Sequence, residues 1–322
     1  MSSAICTLFE GDYHYGVATL VNSVSKLGFR GDIYAGYKGD LPLWANHARD
    51  VEKVGWADFK TLNVLEGVQI HFIRLETNYH LTNYKPDFML LLWSGVADGV
   101  DIMFYFDPDI VLIAPWRFME EWAGCGIALC EDVNSPLEQF HPKRVAWRKY
   151  FLKYEINLKH KNSIYVNGGF IGLDVRDISF LKKWKDIQEL ISPAIGGLKK
   201  SKLRGEQLPI ESSGPFAPFS STDQDALNVT VEVYDALYSF IGKEAMGFED
   251  GATVMAHALG QPKPWNINPI EQFLDGRVPR LAHKKYWETV NNPIITYSKM
   301  KARRKLLLIK LAAFLGRFYS RF

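Results

Sequence analysis

Short apolar runs alternate with helical segments along most of this chain, and this alternation restricts the fold more than any other feature of the sequence. The runs suit buried parallel strands, and they lie at residues 4–9, 32–37, 68–75, 101–106, 126–130 and 164–173. Apolar residues at helical spacing lie between them and predict helices, at residues 15–27, 85–96 and 178–191. Strands that alternate with helices predict an α/β fold in which helices flank a mostly parallel central sheet.

Basic residues are concentrated at the carboxyl end of the sequence. Eight of the 38 Lys and Arg residues lie at 299–322, where there is no Asp or Glu, so residues 1–298 carry 30 basic and 36 acidic side chains. An acidic body with a basic end is not typical of nucleic-acid-binding proteins, whose basic surface lies on the folded domain. We therefore predict one domain at residues 1–292 and a separate tail at residues 293–322, with a hinge at Pro293.

The cysteines indicate a reducing compartment. Cys6, Cys125 and Cys130 are too few for a disulfide framework and lack the spacing of a zinc site. We expect all three to be reduced thiols in the core, which suits a cytoplasmic protein. The sequence does not open with a basic region and an apolar stretch, so no secretory signal is predicted.

Two carboxylates follow the apolar run at 101–106, in the sequence Asp107-Pro108-Asp109. In open α/β sheets, ligands bind beyond the carboxyl ends of the strands, and carboxylates there can hold a hard divalent cation against phosphate oxygens. Two other interpretations stay open. The pair can be a solvated turn, or it can be the nucleophile and acid of a haloacid-dehalogenase-like phosphatase, although the late acidic pair of that family is missing here.

Two further stretches combine polar and small residues. One lies inside the run at 164–173 and has two glycines after a polar residue, which is typical of close approach by a ligand or of a β-bulge. The other opens a predicted helix at 223–231 with two carboxylates and an amide, which indicates ligand binding or helix capping, with Thr222 as the N-cap. The residues concerned are Asn167, Gly168 and Gly169 in the first stretch and Asp223, Gln224 and Asp225 in the second.

A fourth motif contains His257, Gly260 and Lys263 within seven residues. An imidazole, a conformationally permissive glycine and a cation at this spacing can serve a metal and a diphosphate together. A histidine without such partners would more often be structural.

Together and in this order, the four motifs resemble the GT-A glycosyltransferases. The likeness is to family 8, the retaining group that includes glycogenin and the bacterial lipopolysaccharide galactosyl- and glucosyltransferases, and it extends from Ile5 to Trp265. The resemblance implies that a hexose moves from a nucleotide-diphosphate sugar, UDP-linked, to an acceptor hydroxyl with retention of configuration. The alternative is a non-catalytic protein that binds sugar nucleotides and has kept the fold.

The resemblance also implies a role for each motif. Asp107, Asp109 and His257 would bind Mn²⁺ or Mg²⁺ at the two phosphates of the donor, where the metal acts as a Lewis acid. The implied donor contacts are Thr7 and Leu8 to the base through their backbone, Tyr13 by stacking on uracil, Lys85 to the nucleotide or sugar, Asn167 with Gly168 and Gly169 to the sugar, and Gly260 and Lys263 to the diphosphate.

The catalytic groups implied by the resemblance are Asp223, Gln224 and Asp225. Asp223 or Asp225 would be the nucleophile if retention arises from two displacements. In a front-face attack, the leaving phosphate accepts the proton of the acceptor, and Gln224 supports the oxocarbenium-like sugar. Residues 134–162 and 192–221 match nothing in the family, so the sequence leaves the acceptor unassigned.

One face of the predicted tail helix is apolar. It contains Leu307, Leu308, Leu311, Phe314, Leu315, Phe318 and Phe322, with Lys310, Arg317 and Arg321 beside it. The apolar stretch is too short to span a bilayer, and a basic amphipathic helix is typical of an anchor on an anionic membrane surface. We therefore expect a peripheral protein on the cytoplasmic face of a membrane, with a glycan, lipid-linked or lipopolysaccharide acceptor. Alternatively, the helix packs on the body or on a partner protein.

Overall fold

The computed structural model has an α/β fold in which helices flank a mostly parallel central sheet, as the alternation predicts. It describes residues 1–52, 56, 58–201, 207–214 and 216–318, apart from the side chains of Glu211 and Arg317. The strands are β1 (Ser3–Glu10), β2 (Gly31–Lys38), β3 (Arg49–Asp50), β4 (Phe59–Leu65), β5 (Val68–Arg74), β6 (Ile102–Phe106), β7 (Ile110–Leu112), β8 (Ile127–Cys130), β9 (Phe170–Asp174), β10 (Tyr238–Ile241) and β11 (Met255–His257). The helices are α1 (His14–Lys26), α2 (Lys85–Trp93), α3 (Trp116–Gly124), α4 (Pro142–Phe151), α5 (Ile178–Ile195), α6 (Thr222–Val233), α7 (Pro269–Leu274), α8 (Leu281–Thr289) and α9 (Lys299–Leu315).

The chain divides into two compact units, each built from three segments. The first unit contains Met1–Leu8, Leu75–Tyr105 and Glu120–Lys243. The second contains Phe9–Arg74, Phe106–Met119 and Glu244–Phe322. The predicted boundary between residues 292 and 293 stays a prediction.

The first unit has the strand order β10-β8-β9-β6-β1. Strand β1 pairs in parallel with β6 from Ser3 opposite Ile102, whereas β8 is parallel to β10 and antiparallel to β9. Helix α5 packs against α2 and α6, because it buries a stripe of residues three and four apart. That stripe consists of Phe180, Leu181, Trp184, Ile187, Gln188, Ile191 and Ile195.

The second unit has the strand order β2-β5-β4-β3, in which β2 and β5 are parallel and the other pairs are antiparallel. Strands β7 and β11 form a separate antiparallel ribbon, with Ile110 opposite His257. Asp107 and Asp109 directly precede β7, and His257 ends β11. The register of the ribbon therefore brings these three side chains to the same end.

An aromatic cluster forms a core of the second unit. It contains Val111, Trp265, Tyr286, Trp287, Val290, Tyr297 and Ile309. The ring of Tyr15 stacks on Tyr297 with centroids 5.3 Å apart. Close by in the sequence, the amide of Asn22 donates to Ile294 O at 2.9 Å and its oxygen accepts from Ile294 N at 2.8 Å. These bonds hold the chain next to Pro293, where the sequence suggested a hinge.

Helix α9 has one buried and one exposed side. Ile309 and Ala312 are buried, so the helix packs on the second unit. Leu308 and Leu315, which were predicted on the apolar face, are half-buried. The exposed side of the helix and of the turn after it carries Leu307 (67% exposed), Leu311 (45%), Phe314 (53%) and Phe318 (73%). The side chain of Arg317 and residues Arg321 and Phe322, also predicted for this region, lie outside the description.

Several local expectations were wrong. Residues 164–169 do not extend a strand, because Asn167 Oδ1 accepts from Gly169 N at 2.9 Å and closes a turn before β9. Thr222 does not cap α6: Ser221 precedes the helix, and the Thr222 hydroxyl donates to Asn83 Oδ1 at 2.8 Å. Of the three cysteines, Cys125 is exposed just after α3, whereas the other two are buried.

Candidate functional site

The end of the β7–β11 ribbon gathers two carboxylates and an imidazole, which we name the Asp-His cluster: Asp107, Asp109 and His257. The Nε2 atom of His257 lies 3.3 Å from Asp109 Oδ1 and 4.0 Å from Asp107 Oδ2. Each residue offers one ligand atom, and these atoms all lie within 4.8 Å of one another. Asp109 and His257 are buried, and Asp107 is partly exposed, so the cluster has an open side.

The chemistry of the Asp-His cluster fits a divalent cation. Two carboxylate oxygens and one imidazole nitrogen are a donor set that suits Mn²⁺, and Mg²⁺ through the oxygens. Burial on its own raises the pKa of Asp109, but Lys263 and His257 outweigh it and hold that pKa well below its usual range. The carboxylate is therefore ionised, as a metal ligand must be. Among the described residues, the buried Nδ1 of His257 has no hydrogen-bond partner.

Lys263 lies directly beside the Asp-His cluster. Its Nζ donates hydrogen bonds to Asp109 Oδ2 and, at 2.8 Å, to Ala258 O. The same atom lies 5.7 Å from the centroid of the Tyr13 ring. Burial lowers the pKa of Lys263, but Asp109 above all raises it again, and the net shift is upward. Lys263 is therefore a cation, and it neutralises part of the charge of the two carboxylates.

Tyr13 and Gly260 lie in the same unit as the Asp-His cluster. The Tyr13 ring is half-buried and meets Trp265 edge to face, with centroids 5.4 Å apart. Gly260 has a φ of +67° and no atom within 4 Å of the position that a Cβ would take. Its backbone is thus open to a ligand and needs glycine for its conformation.

Gly16 supports the Asp107-Pro108-Asp109 turn and was missed by the sequence analysis. A Cβ on Gly16 would lie 2.1 Å from Pro108 O and 3.0 Å from the Trp265 ring. Helix α1 therefore touches the backbone of this turn, and only glycine leaves room for it. A glycine inside a helical pattern was the one available signal, because glycine there usually has a packing reason.

A second group of predicted residues lies in the first unit, around Lys85. Its Nζ donates to Gly168 O at 2.7 Å and to Asp223 Oδ2 at 2.8 Å. Lys85 is 1% exposed. These two bonds go to protein groups, so Lys85 orients the Asp223 carboxylate and the backbone of Gly168.

The turn at Asn167 and Gly168 is tied to the first turn of α6. Gly168 N donates to Gln224 Oε1 at 2.9 Å, and a Cβ on Gly168 would lie 3.2 Å from Asp223 Oδ2. The amide of Asn167 donates to Asp132 Oδ2 at 2.6 Å. Asn167, Gly168, Asp223 and Gln224 are therefore neighbours, as the resemblance implies, and Gly169 closes the same turn.

Asp225 differs from Asp223 in its surroundings. It is fully buried, and its two oxygens accept from Lys143 Nζ at 2.6 and 2.9 Å, from the Tyr165 hydroxyl at 2.7 Å and from Ser221 N at 2.8 Å. Burial raises the pKa of Asp225, and Lys143 only partly offsets it. Asp225 thus holds α6 in place, and Lys143, which the sequence analysis missed, is its counter-ion.

The remaining predicted residues, Thr7 and Leu8, end the part of β1 that belongs to the first unit. Both side chains are buried, and the Thr7 hydroxyl has no hydrogen-bond partner among the described residues. Contact of these two positions with a base, through their backbone, stays a prediction.

Comparisons with known proteins identify the fold. No family model matches the chain, and no curated protein matches it. The solved WbbM bifunctional glycosyltransferase, in its apo form, is similar with a TM-score of 0.52 and 13% identity, covering 95% of this chain and 52% of WbbM. The galactosyltransferase LgtC, solved with donor and acceptor sugar analogs, is similar with a TM-score of 0.50 and 13% identity, covering 94% of this chain and 100% of LgtC.

This chain has a glycosyltransferase fold. The likeness confirms the predicted GT-A architecture, and at 13% identity it shows the fold alone. The chain spans about half the length of WbbM (52%). The roles of the site residues stay predictions, because a fold hosts more than one function.

Proposed function

We propose that this protein is a metal-dependent glycosyltransferase that moves a hexose from a UDP-linked donor to an acceptor hydroxyl with retention. The observation that carries the proposal is the Asp-His cluster of Asp107, Asp109 and His257 on a fold shared with glycosyltransferases. A carboxylate pair and an imidazole within 4.8 Å of one another support a metal site over a solvated turn. The fold favours a glycosyltransferase over a phosphatase, and release of UDP from the donor separates the enzyme from a non-catalytic protein.

In this proposal, Asp107, Asp109 and His257 hold Mn²⁺ or Mg²⁺, which neutralises the diphosphate as it leaves. Lys263 supplies a further cation beside them, and the open backbone at Gly260 lets phosphate oxygens approach. Tyr13 offers the face of its ring to the base. All six residues belong to the second unit.

The first unit supplies the sugar-binding groups in this proposal. Gln224 offers an amide and Asp223 a carboxylate, and Lys85 keeps Asp223 oriented. Asn167, whose amide is bonded to Asp132 and to Gly169 N, holds the turn that carries Gly168. The bond between the anomeric carbon and the phosphate oxygen breaks, a bond to the acceptor oxygen forms on the same face, and the acceptor proton passes to the leaving phosphate oxygen. Asp225 takes no part in this step, because its oxygens are occupied by four hydrogen bonds.

The first test is thermal stability in the presence of UDP-sugars, with and without Mn²⁺. A ligand at a concentration of 100 times its Kd adds about 2.7 kcal/mol to the free energy of unfolding. We expect this gain for one UDP-sugar, only with Mn²⁺, and not in Asp109→Asn. The matched control is Asp235→Asn, which removes a carboxylate whose side chain is 95% exposed. An equal gain without Mn²⁺, or in Asp109→Asn, would contradict the proposed site.

The second test separates the enzyme from a binding protein. An active enzyme should release UDP slowly from the donor even without acceptor, with water in its place. Nuclear magnetic resonance of the glycoside made with acceptor should show the anomeric configuration of the donor. Metal-dependent binding with no release of UDP under any condition would instead support the non-catalytic alternative.

We also propose that α9 rests on an anionic membrane surface, which suits a lipid-linked or lipopolysaccharide acceptor. The exposed apolar stripe lies beside exposed cations, namely Arg303, Arg304 and Lys310. This pattern favours an interfacial helix. In the described part of the chain, no helix is long and apolar enough to cross a membrane.

Surface substitutions test the membrane proposal better than removal of the tail, because Tyr297 and Ile309 belong to the aromatic cluster. We expect wild-type protein to sediment with vesicles that contain anionic lipid and not with neutral vesicles. Leu311→Asp combined with Phe314→Asp should abolish sedimentation, whereas Leu274→Asp, which changes another exposed leucine, should not. Unchanged sedimentation of the double variant would refute this role.

A further inference from the structure

The ammonium of Lys263 is part of the ion-pair geometry of the Asp-His cluster rather than a charge at its rim. The side chains of Lys263 and Asp109 are only 10% and 4% exposed. Asp109 turns one oxygen to His257 and the other to Lys263. A cation that uses Asp109 as a ligand therefore competes with Lys263 for this carboxylate.

Lys263 also has the capacity to bind a second anion. An ammonium has three N–H groups, and among the described residues two of them bond to Asp109 and to Ala258 O. The neighbouring Tyr13 ring attracts the cation without accepting a full hydrogen bond. The third N–H is thus available for an oxygen of a ligand.

The charge of Lys263 affects the binding of a divalent cation and the binding of a diphosphate in opposite directions. With an imidazole that is neutral when it binds a metal, Asp107, Asp109 and Lys263 together carry a charge of about −1. A divalent cation changes this to about +1, which attracts a diphosphate. Without Lys263 the two values would be about −2 and 0, so the cation would bind more tightly and the diphosphate less tightly.

We propose that Lys263 couples the two ligands by changing partners: it holds Asp109 while the site has neither ligand and moves to a diphosphate oxygen when a divalent cation takes Asp109. This inference rests on the proposed function, because it needs both ligands at the Asp-His cluster. Coupling of this kind is reciprocal, so UDP raises the affinity for Mn²⁺ by the same factor as Mn²⁺ raises the affinity for UDP. Lys263 thereby keeps the cluster from holding a metal tightly before the donor arrives.

The test is direct titration of the full chain with Mn²⁺, in which free Mn²⁺ is followed by its electron paramagnetic resonance signal, with and without saturating UDP. We expect Lys263→Met to bind Mn²⁺ alone about tenfold more tightly than wild type, and to bind Mn²⁺ equally well when UDP is present. The coupling factor then falls about tenfold. Lys263→Gln keeps a donor for Asp109 without the charge, and it should give the same result if Lys263→Met does not fold.

The matched control is Lys305→Met. Lys305 is also a partly buried lysine of the second unit, but its ammonium contacts Ile267 O and the ring of Trp287. Lys305→Met should leave the affinity for Mn²⁺ unchanged, both with and without UDP. If Lys263→Met and Lys263→Gln bind Mn²⁺ alone no more tightly than wild type, the inference is wrong while the proposed function stands. If wild type binds no Mn²⁺ with or without UDP, the proposed metal site fails and the inference fails with it.

Discussion

Gly16→Ala is the substitution that tests most directly how the Asp107-Pro108-Asp109 turn is held. A Cβ at Gly16 would lie 2.1 Å from Pro108 O and 2.8 Å from Pro108 C, whereas an ordinary carbon contact is about 3.5 Å. The obstacle is backbone, and that backbone is held by bonds from Ile110 N to Asp107 O and from Ala258 N to Asp109 O, both 3.1 Å. The turn must therefore move by about 1 Å or strain α1.

Two free energies of opposite sign decide the result. Alanine stabilises a helix interior by about 1 kcal/mol relative to glycine, whereas overpacking of this kind costs about 1–3 kcal/mol. We expect the free energy of unfolding to fall or, at best, to stay the same. Metal–ligand distances tolerate only about 0.2 Å, so a 1 Å shift of the turn should weaken Mn²⁺ binding at least tenfold, in the range of about 10–100-fold that a lost supporting contact costs.

The assay is a pair of measurements on one preparation, namely the melting temperature and the Kd for Mn²⁺ in the presence of UDP. The control is Gly124→Ala at the end of α3, where a Cβ meets nothing within 4 Å. Gly124→Ala should lower neither the melting temperature nor the affinity for Mn²⁺. Wild-type affinity for Mn²⁺ in a folded Gly16→Ala variant would refute the argument that Gly16 positions the turn.

Three further predictions concern stability and the first unit. Burial above all lowers the pKa of His283 to about 4, so between about pH 6.5 and pH 4 the unfolded chain binds a proton that the folded chain does not. About 3 kcal/mol of unfolding free energy is therefore lost as the pH falls through that window. Urea titrations at about pH 6.5 and at about pH 4 should show a smaller loss in His283→Gln. Asp225→Asn leaves Lys143 buried without its counter-charge, which should lower the free energy of unfolding, measured by urea denaturation, by about 3–5 kcal/mol. A variant that is stable but inactive would instead indicate that Asp225 is a nucleophile. Lys85→Met should lower kcat by freeing Asp223 while the Kd for Mn²⁺ stays the same, and an equal loss in both would show that Lys85 acts on the fold as a whole.

The predictable parts of the fold and the site are those with a local signal. The buried strand that contains Phe104 is a run of apolar residues, and the polar Asp107 marks its end. His257 has no such signal, because the register of β7 and β11 alone places it opposite Ile110, and a resemblance in motif order was needed to connect it to the carboxylates.

The parts that could not be predicted depend on contacts between residues far apart in the sequence. Lys143 lies in the stretch of residues 134–162 for which the sequence suggests no role, yet it lies beside Asp225, 82 residues later. The antiparallel strand β4 was missed because it is only partly buried and lacks a long apolar run. Asn167 interrupts a predicted strand through one side-chain bond to Gly169 N, and a pattern of hydrophobicity does not register such a bond.

The bond between Asn22 and Ile294 has a consequence for synthesis of the protein. The two residues are 272 positions apart. The ring contact between Tyr15 and Tyr297 joins a similarly distant pair. At about 5–20 residues per second, a ribosome needs on the order of tens of seconds to pass from one to the other. During that time the bonds from Asn22 to Ile294 and the stacking of Tyr15 on Tyr297 cannot form, although α1 can already pack on β7, so shortening the tail should harm the protein's yield in cells before it harms its chemistry.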